Sequence, residues 1–117
     1  MSIKVYGIKN CNTMKKTFDF LAEKGVEYDF IDYKKQKPDA PLLEGFLEKT
    51  DLASLVNKKG TTYRKMTDEQ KSALDNEETA IPILEENSSM IKRPVIVYKD
   101  GSVSLGFDEE VITGHLS

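Results

Sequence analysis

The chain contains 117 residues, 38% of them hydrophobic, and has a net charge of −3, which suits a single folded domain over residues 1–117. The acidic balance argues against a dedicated nucleic-acid-binding surface, and no segment contains the roughly 18 apolar residues needed to cross a bilayer. The amino terminus lacks the basic and apolar regions of a secretory signal, and the single cysteine excludes an internal disulfide, so we expect a cytoplasmic protein.

The first third of the sequence predicts a βαβ unit. Residues 3–8 form an apolar run typical of a short buried strand, and residues 14–24 carry apolar side chains at helical three-four spacing. Gly25 follows at the position where a glycine commonly ends a helix, and residues 26–33 alternate as a second strand does. Because the helix is long enough to cross over the sheet, we expect the two strands to be parallel.

The middle of the sequence predicts a helical insertion over about residues 40–88. Before it, residues 34–41 are rich in lysine and proline and indicate a solvated connection. Amphipathic stretches follow at residues 42–47 and 52–56, and Thr67 has the sequence context of a helix N-cap.

One further helix of the insertion ends near Glu86, and its start depends on Pro82. Either Asn76 or Thr79 carries a side chain suited to cap this helix. A proline deep inside a helix removes a hydrogen bond and clashes with the preceding turn, whereas the first turn tolerates it. We therefore favour Thr79 as the cap, which places Pro82 in the first turn.

The last part of the sequence predicts a β-hairpin followed by a short helix. Residues 95–99 are apolar and β-branched, Asp100-Gly101 is a typical hairpin turn, and residues 103–105 supply the returning strand. A short helix begins at residues 108–110. The order βαβ, helical insertion, ββα predicts an α/β fold of the thioredoxin type with a mixed sheet.

Cys11 lies where the predicted first strand gives way to the first helix. The partial positive charge of the unpaired amides at a helix start favours a thiolate. Four lysines and no acid precede Asp19, so the thiol also lies in a basic region; they are Lys4, Lys9, Lys15 and Lys16. A redox pair would be Cys-x-x-Cys, but Met14 occupies the fourth position. Thiol chemistry at Cys11 must therefore be monothiol, with an outside thiol resolving the adduct.

Arg64 and Arg93 are the two arginines in a chain that otherwise uses fifteen lysines. Both lie in segments of little apolar periodicity, and the planar guanidinium suits carboxylates and oxyanions. From composition alone, the alternative that both arginines are solvent-exposed and have no role in binding stays open. His115, the single histidine, has no cysteine or acid at ligand spacing, so we expect a surface residue and no metal site.

Three separated segments are more specific when they are taken together. They are YGIKNCNTMKK at residues 6–16, GTTYRK at residues 60–65 and MIKRP at residues 90–94. Together they resemble the arsenate reductase (ArsC)/Spx family, most closely its YffB-like branch of small reductase-like proteins. The resemblance covers nearly the whole chain and implies a thioredoxin-like fold with a helical insertion between the two halves of the sheet.

The same resemblance implies roles for individual residues. Cys11 would be the nucleophile, with Arg64 and Arg93 near it to stabilise the thiolate and anionic groups of the substrate. Pro94 would be the cis-proline of this fold, and the backbone of Arg93 would bind the cysteinyl part of glutathione. The predicted substrate-binding set is Asn12, Thr13, Arg93 and Pro94.

Two departures from the family pattern bear on function. The arsenate reductases have a third arginine after the last strands, where this chain has Leu105-Gly106-Phe107-Asp108, so fewer donors would hold a doubly charged oxyanion. The Spx regulators often carry Cys-x-x-Cys, and Met14 removes that disulfide switch.

We therefore expect a glutathione-dependent monothiol reductase with no bound cofactor, with glutathione as co-substrate and glutathione or a glutaredoxin as its partner. Arsenate reduction with glutathione or glutaredoxin is one alternative. A non-catalytic, Spx-like regulator that binds RNA polymerase is another. We expect a monomer that makes no direct contact with nucleic acid or membrane.

Overall fold

The computed structural model describes residues 2–116 of the chain, which form two compact units. The first unit comprises the segments up to Gln36 and from Arg93 onward, and the second comprises Lys37–Lys92. In chain order the elements are β1 (Ile3–Gly7), α1 (Asn12–Glu23), β2 (Tyr28–Asp32), α2 (Ala40–Lys49), α3 (Leu52–Leu55), α4 (Thr61–Arg64), α5 (Asp68–Ala73), α6 (Glu77–Glu86), a 3-10 turn (Ser88–Met90), β3 (Val95–Val97), β4 (Val103–Leu105) and α7 (Glu109–Leu116). In the described part of the chain, no helix is long and apolar enough to cross a membrane.

The four strands form one mixed sheet in the first unit, in the order β2-β1-β3-β4. β1 pairs with β2 in parallel, as the crossover through α1 requires, and Gly7 lies opposite Asp32. β3 is antiparallel to both β1 and β4, with Tyr6 opposite Val95. This arrangement confirms the predicted α/β, thioredoxin-like fold with a mixed sheet.

The core of the first unit is built on one face of this sheet. Ile3 and Val5 of β1 are buried, whereas Lys4 between them is exposed, as the two-residue period of a strand requires. They pack in one cluster with side chains of α1, β3 and α7: Met14, Phe20, Leu21, Ile96, Tyr98 and Ile112. Burial of these groups fixes α1 against β1 and so sets where the helix begins.

Helix α1 begins two residues before the predicted start. Cys11 has extended backbone angles (φ −147°, ψ 132°), and its carbonyl accepts the first helical hydrogen bond from the Lys15 N–H at 3.0 Å. The helix ends before Gly25, whose φ of +67° lies in the left-handed region that favours glycine, which confirms the predicted stop.

Helix α2 begins within the segment predicted as a connection. The Asp39 side chain caps it by accepting a hydrogen bond from the Leu42 N–H at 3.0 Å. Pro41 lies in the first turn, where a missing N–H is tolerated. The predicted connection over residues 34–41 is therefore too long by two residues.

Two other helix starts of the second unit agree with the sequence prediction. Thr67 and Gln70 form a capping box at α5, with hydrogen bonds of 3.1 and 2.9 Å between each side chain and the other residue's N–H. Asp51 caps α3 by accepting from the Ser54 N–H at 2.9 Å. The predicted helix starts at Thr67 and near residue 52 are thus confirmed.

The favoured start of α6 is wrong. Asn76, rather than Thr79, caps this helix by accepting from the Glu78 N–H at 2.9 Å, so Pro82 lies inside it. The proline leaves the Glu78 carbonyl without its usual helical N–H donor. Because Pro82 and Glu78 are both exposed, water can bind this carbonyl instead. On one face of the helix, Ala80, Ile81 and Leu84 are buried, and the free energy of their burial outweighs the local cost of the proline.

The predicted surface position of His115 is also wrong. Its ring is half-buried and stacks on Tyr98, with 4.4 Å between the ring centroids. Its Nδ1 lies 2.9 Å from the Ser102 hydroxyl oxygen, in the hairpin whose turn is completed by Gly101 at a φ of +87°. Because Ile112 packs in the core and fixes the position of α7, the histidine packs against the hairpin instead of extending into solvent.

Gly7 is tightly packed at the end of β1, which leads to a test of the core. A Cβ at this position would lie 2.6 Å from Sδ and 2.7 Å from Cε of Met14, whose side chain is fully buried. We expect Gly7→Ala to lower the free energy of unfolding by about 1–2 kcal/mol, because Met14 can move only by displacing its neighbours. Urea unfolding of the variant and the parent protein measures this difference.

Gly45→Ala is the matched control for this substitution. A Cβ at Gly45 in α2 meets no atom within 4 Å, so we expect the change to be neutral or to stabilise the protein by up to about 1 kcal/mol. Equal unfolding free energies for the two variants would contradict the packing argument.

Candidate functional site

Cys11 follows a tight turn between β1 and α1. Its N–H donates to the Lys9 carbonyl at 3.1 Å, and its extended backbone makes it the N-cap residue of α1. The side chain is half-buried and packs against the core of the first unit. The thiol therefore lies beside the first amides of a helix while part of it stays accessible to a reactant.

The pKa of the Cys11 thiol is lowered from its ordinary value. Burial is the largest single influence and raises the pKa, but it is outweighed by the amides of Met14 and Thr13 and by the charge and hydrogen bond of the Arg93 guanidinium. Within residues 2–116 the sulfur makes no cap hydrogen bond of good geometry, so the amides act through their polarity at the helix start. The balance favours the thiolate.

Strand pairing brings Arg93 to Cys11. Arg93 lies two residues before β3, and β3 runs antiparallel to β1 with Val95 opposite Tyr6. Arg93 therefore lies near the carboxyl end of β1, where the chain continues to Cys11. The bond between Arg93 and Pro94 is cis, as the family resemblance implied, and the Pro94 carbonyl accepts from the Gly106 N–H at 2.8 Å.

Arg64 belongs to the second unit and ends the one-turn helix α4. Its side chain is exposed. Within that unit, the Thr62 and Ser89 hydroxyl oxygens lie 3.3 Å apart and connect α4 to the 3-10 turn. The participation of Arg64 in the chemistry of Cys11 stays a prediction.

Asn12 and Thr13 are the first two residues of α1. Asn12 is exposed and Thr13 is half-buried. The Thr13 carbonyl accepts a hydrogen bond from the Thr17 hydroxyl at 2.8 Å, while its amide contributes to the lowered pKa of Cys11. Both residues thus neighbour the thiol, and their contact with a substrate stays a prediction.

Sequence reasoning missed Tyr33, which lies within the electrostatic reach of Arg93. Its N–H donates to the Gly7 carbonyl at 2.8 Å, and its ring stacks on Tyr6 with 6.3 Å between centroids. Burial raises the pKa of Tyr33 far above its ordinary value, Tyr6 raises it further, and the Arg93 charge partly offsets both. In the sequence, Tyr33 was one apolar position at the end of a strand, with nothing to distinguish it.

The groups that act on Cys11 favour negative charge. The Met14 and Thr13 amides and the Arg93 guanidinium are all hydrogen-bond donors. Among residues 2–116, no three histidine, cysteine, aspartate or glutamate side chains lie together in a way that could hold a metal ion. The site is therefore suited to stabilise a thiolate and to bind an anionic group beside it.

Comparison with known proteins places the chain among its relatives. The model of the ArsC family matches residues 6–114. The chain belongs to the ArsC family. An uncharacterised protein of Haemophilus influenzae is 40% identical over 108 residues, which cover 92% of this chain and 93% of that protein.

Two solved structures are similar over almost their whole length. A protein named YFFB has a TM-score of 0.91 and 37% identity, covering 99% of this chain and 100% of that one. A solution structure from Brucella melitensis, described as an arsenate reductase (ArsC) related protein, has a TM-score of 0.76 and 38% identity, covering 100% and 96%. These similarities confirm the family resemblance, and they support a thiol-dependent reductase at the level of the family.

The contact between Arg93 and the Cys11 sulfur in this ArsC-family protein can be tested by titration. We expect Arg93→Gln to raise the pKa of Cys11, because it removes both a positive charge and a hydrogen bond to the thiolate. The pH at which Cys11 reaches half of its maximal alkylation rate with iodoacetamide would move upward, and near-neutral alkylation would slow several-fold.

Lys99→Gln is the charge-matched control for the titration. Lys99 is exposed in the turn after β3, at the opposite end of that strand from Arg93, so we expect its loss to leave the alkylation profile unchanged. An Arg93→Gln profile that coincides with that of Lys99→Gln would exclude the guanidinium as a stabiliser of the thiolate.

Proposed function

We propose that this chain is a glutathione-dependent monothiol reductase that removes glutathione from mixed disulfides. The observation that carries the proposal is the half-buried Cys11 at the start of α1, whose pKa is lowered by two amides and by Arg93. A thiolate is the reactive form in disulfide exchange. Its partial exposure allows the sulfur to attack an external disulfide and, once a mixed disulfide has formed, to be attacked by an external thiolate.

The absence of a second cysteine decides how the cycle ends. Met14 occupies the position three residues after Cys11 and is fully buried, so that side of the helix start belongs to the core. No second thiol of this chain can displace an adduct from Cys11. An external thiol must therefore attack the mixed disulfide, and glutathione or a glutaredoxin is the partner that we propose.

A lowered pKa benefits the second half of such a cycle more than the first. Ionisation increases the amount of attacking thiolate, but nucleophilicity falls as the pKa falls, with a slope of about 0.4–0.5, and this offsets much of the gain. When the external thiol attacks, the Cys11 thiolate is the leaving group, and a stabilised thiolate leaves faster. The electrostatics at Cys11 thus match a site that depends on external release.

The proposed cycle consists of two disulfide exchanges. In the first, the Cys11 thiolate attacks the glutathione sulfur of a glutathionylated substrate; the Cys11–glutathione bond forms, the substrate disulfide breaks, and the substrate leaves as a thiolate that takes up a proton. In the second, a glutathione thiolate attacks the adduct, forms oxidised glutathione and releases the Cys11 thiolate. Over the whole cycle one external glutathione is consumed, the substrate is released as a thiol, and the glutathionyl group of the substrate leaves in oxidised glutathione together with the external one.

The first test is the formation and release of the adduct. We expect oxidised glutathione to add one glutathione to the protein, observed by intact-mass spectrometry, and reduced glutathione to remove it again. Cys11→Ser should form no adduct, because it contains no thiol. A parent protein that stays unmodified, or an adduct that reduced glutathione does not release, would rule out this cycle.

Arsenate reduction is a second candidate, favoured by the 38% identity to a structure described as arsenate reductase related. Against it, the chain at the end of β4 reads Leu105-Gly106-Phe107-Asp108, which contains no cation. Asp108 accepts hydrogen bonds from the Glu110 and Val111 amides as the cap of α7. A carboxylate there offers no donor to an oxyanion. The binding of RNA polymerase, the third function considered, stays a prediction.

A coupled assay separates the two enzymatic candidates. We expect arsenate-dependent oxidation of NADPH, in the presence of glutathione, glutaredoxin and glutathione reductase, to stay at the level of Cys11→Ser. With a glutathionylated peptide as the substrate, the rate of the parent protein should exceed the rate of Cys11→Ser at least tenfold. Arsenate turnover that equals or exceeds peptide turnover would reverse the order of the two candidates.

A further inference from the structure

The side chain of Tyr33 has a buried polar atom that packing does not explain. Among residues 2–116, its hydroxyl is buried without a hydrogen-bond partner, and the residue is only 3% exposed. Tyr98 is equally buried, but its hydroxyl oxygen lies 2.7 Å from the Ser104 hydroxyl oxygen. A buried unpaired hydroxyl is unfavourable, and phenylalanine would fill the same space without it. The hydroxyl of Tyr33 therefore needs a role outside the core.

The position of Tyr33 places it at the same end of the sheet as the thiol. Its N–H donates to the Gly7 carbonyl at 2.8 Å, so it continues the pairing of β2 along one side of β1. Arg93 precedes β3, which pairs along the other side of β1. Both residues therefore flank the carboxyl end of β1, from which the chain leads to Cys11, and the Arg93 charge acts on both side chains.

The chemistry of these side chains indicates what could join them. An arginine offers only hydrogen-bond donors, and a phenol that remains protonated offers one O–H donor. The pKa of Tyr33 is raised well above its ordinary value, so the phenol keeps its proton at any physiological pH. Donors on the two sides of the end of β1 suit an anionic acceptor, and the carboxylates are the anionic acceptors that glutathione provides.

We propose that the Tyr33 hydroxyl donates a hydrogen bond to a carboxylate of glutathione, beside the Arg93 guanidinium, when Cys11 forms its mixed disulfide; this rests on the function proposed above. Because the hydroxyl is buried, neighbouring side chains have to move before the carboxylate reaches it. Tyr33 is then a specificity residue, which distinguishes a glutathione disulfide from a disulfide without carboxylates.

The step in which Tyr33 acts is the attack of Cys11 on oxidised glutathione. The Cys11 thiolate forms a bond to one glutathione sulfur, the disulfide bond of oxidised glutathione breaks, and the second glutathione leaves as a thiolate that takes up a proton. Tyr33 exchanges no electrons or protons in this step. Its hydrogen bond holds the retained glutathione, so its loss should slow adduct formation with that disulfide alone.

The test compares two disulfides on the Tyr33→Phe variant. Second-order rates of Cys11 modification are measured by intact mass with oxidised glutathione and with cystamine, a small disulfide that has amines and no carboxylates. We expect Tyr33→Phe to react about tenfold more slowly than the parent with oxidised glutathione, because it loses one hydrogen bond to a charged group. With cystamine it should react at the parent rate. Thermal stability should equal or exceed that of the parent, because an unpaired buried hydroxyl is removed.

Tyr28→Phe is the matched control, since Tyr28 lies on β2 and its half-buried ring stacks on Phe18. We expect it to react with both disulfides at parent rates. A parent protein that forms no adduct with oxidised glutathione overturns the proposed function together with this inference. If the parent reacts with oxidised glutathione but Tyr33→Phe has the same ratio of rates for the two disulfides as the parent, the role of Tyr33 is overturned and the proposed function is not.

Discussion

The chemistry proposed for this protein depends on the stabilisation of one negative charge at the start of α1. Burial of Cys11 opposes ionisation more strongly than any single group favours it. Together, the Met14 and Thr13 amides and the Arg93 guanidinium outweigh burial, and they come from two levels of structure. The amides follow from the helix beginning at residue 12, whereas Arg93 arrives through the antiparallel pairing of β3 with β1. The helix start and the sheet therefore both contribute to the lowered pKa of the thiol.

Met14 links this electrostatic site to the core. Its amide contributes to the lowered pKa of Cys11, while its side chain is fully buried and so close to Gly7 that a Cβ there would overlap it. One residue therefore provides both a polar contact to the sulfur and an apolar contact to the end of β1. Its side chain also occupies the position at which a second thiol would allow an internal disulfide. Core packing and the proposed dependence on an external thiol thus have the same origin.

Local signals predicted much of the fold, and the errors occurred where tertiary contacts decided. The stop at Gly25, the cap at Thr67 and the hairpin turn at Gly101 each depend on a few neighbouring residues, and the structure contains all three. The position of Pro82 was predicted wrongly because the burial of one face of α6 offsets the cost of a proline inside the helix, and that burial cannot be read from neighbouring residues. His115 was misplaced because its stacking on Tyr98 joins elements distant in the sequence. Of the site, the sequence could identify Cys11 and Arg93, but the unpaired hydroxyl of Tyr33 is visible only in three dimensions.

The Arg93 guanidinium can serve both halves of the proposed cycle because the charge on the sulfur changes between them. In the free thiol form, the Arg93 guanidinium stabilises the thiolate. Once the mixed disulfide forms, the sulfur is neutral, and the same guanidinium can attract a carboxylate of the bound glutathione. Release of the thiolate then returns the negative charge to the sulfur and weakens the hold on the carboxylate.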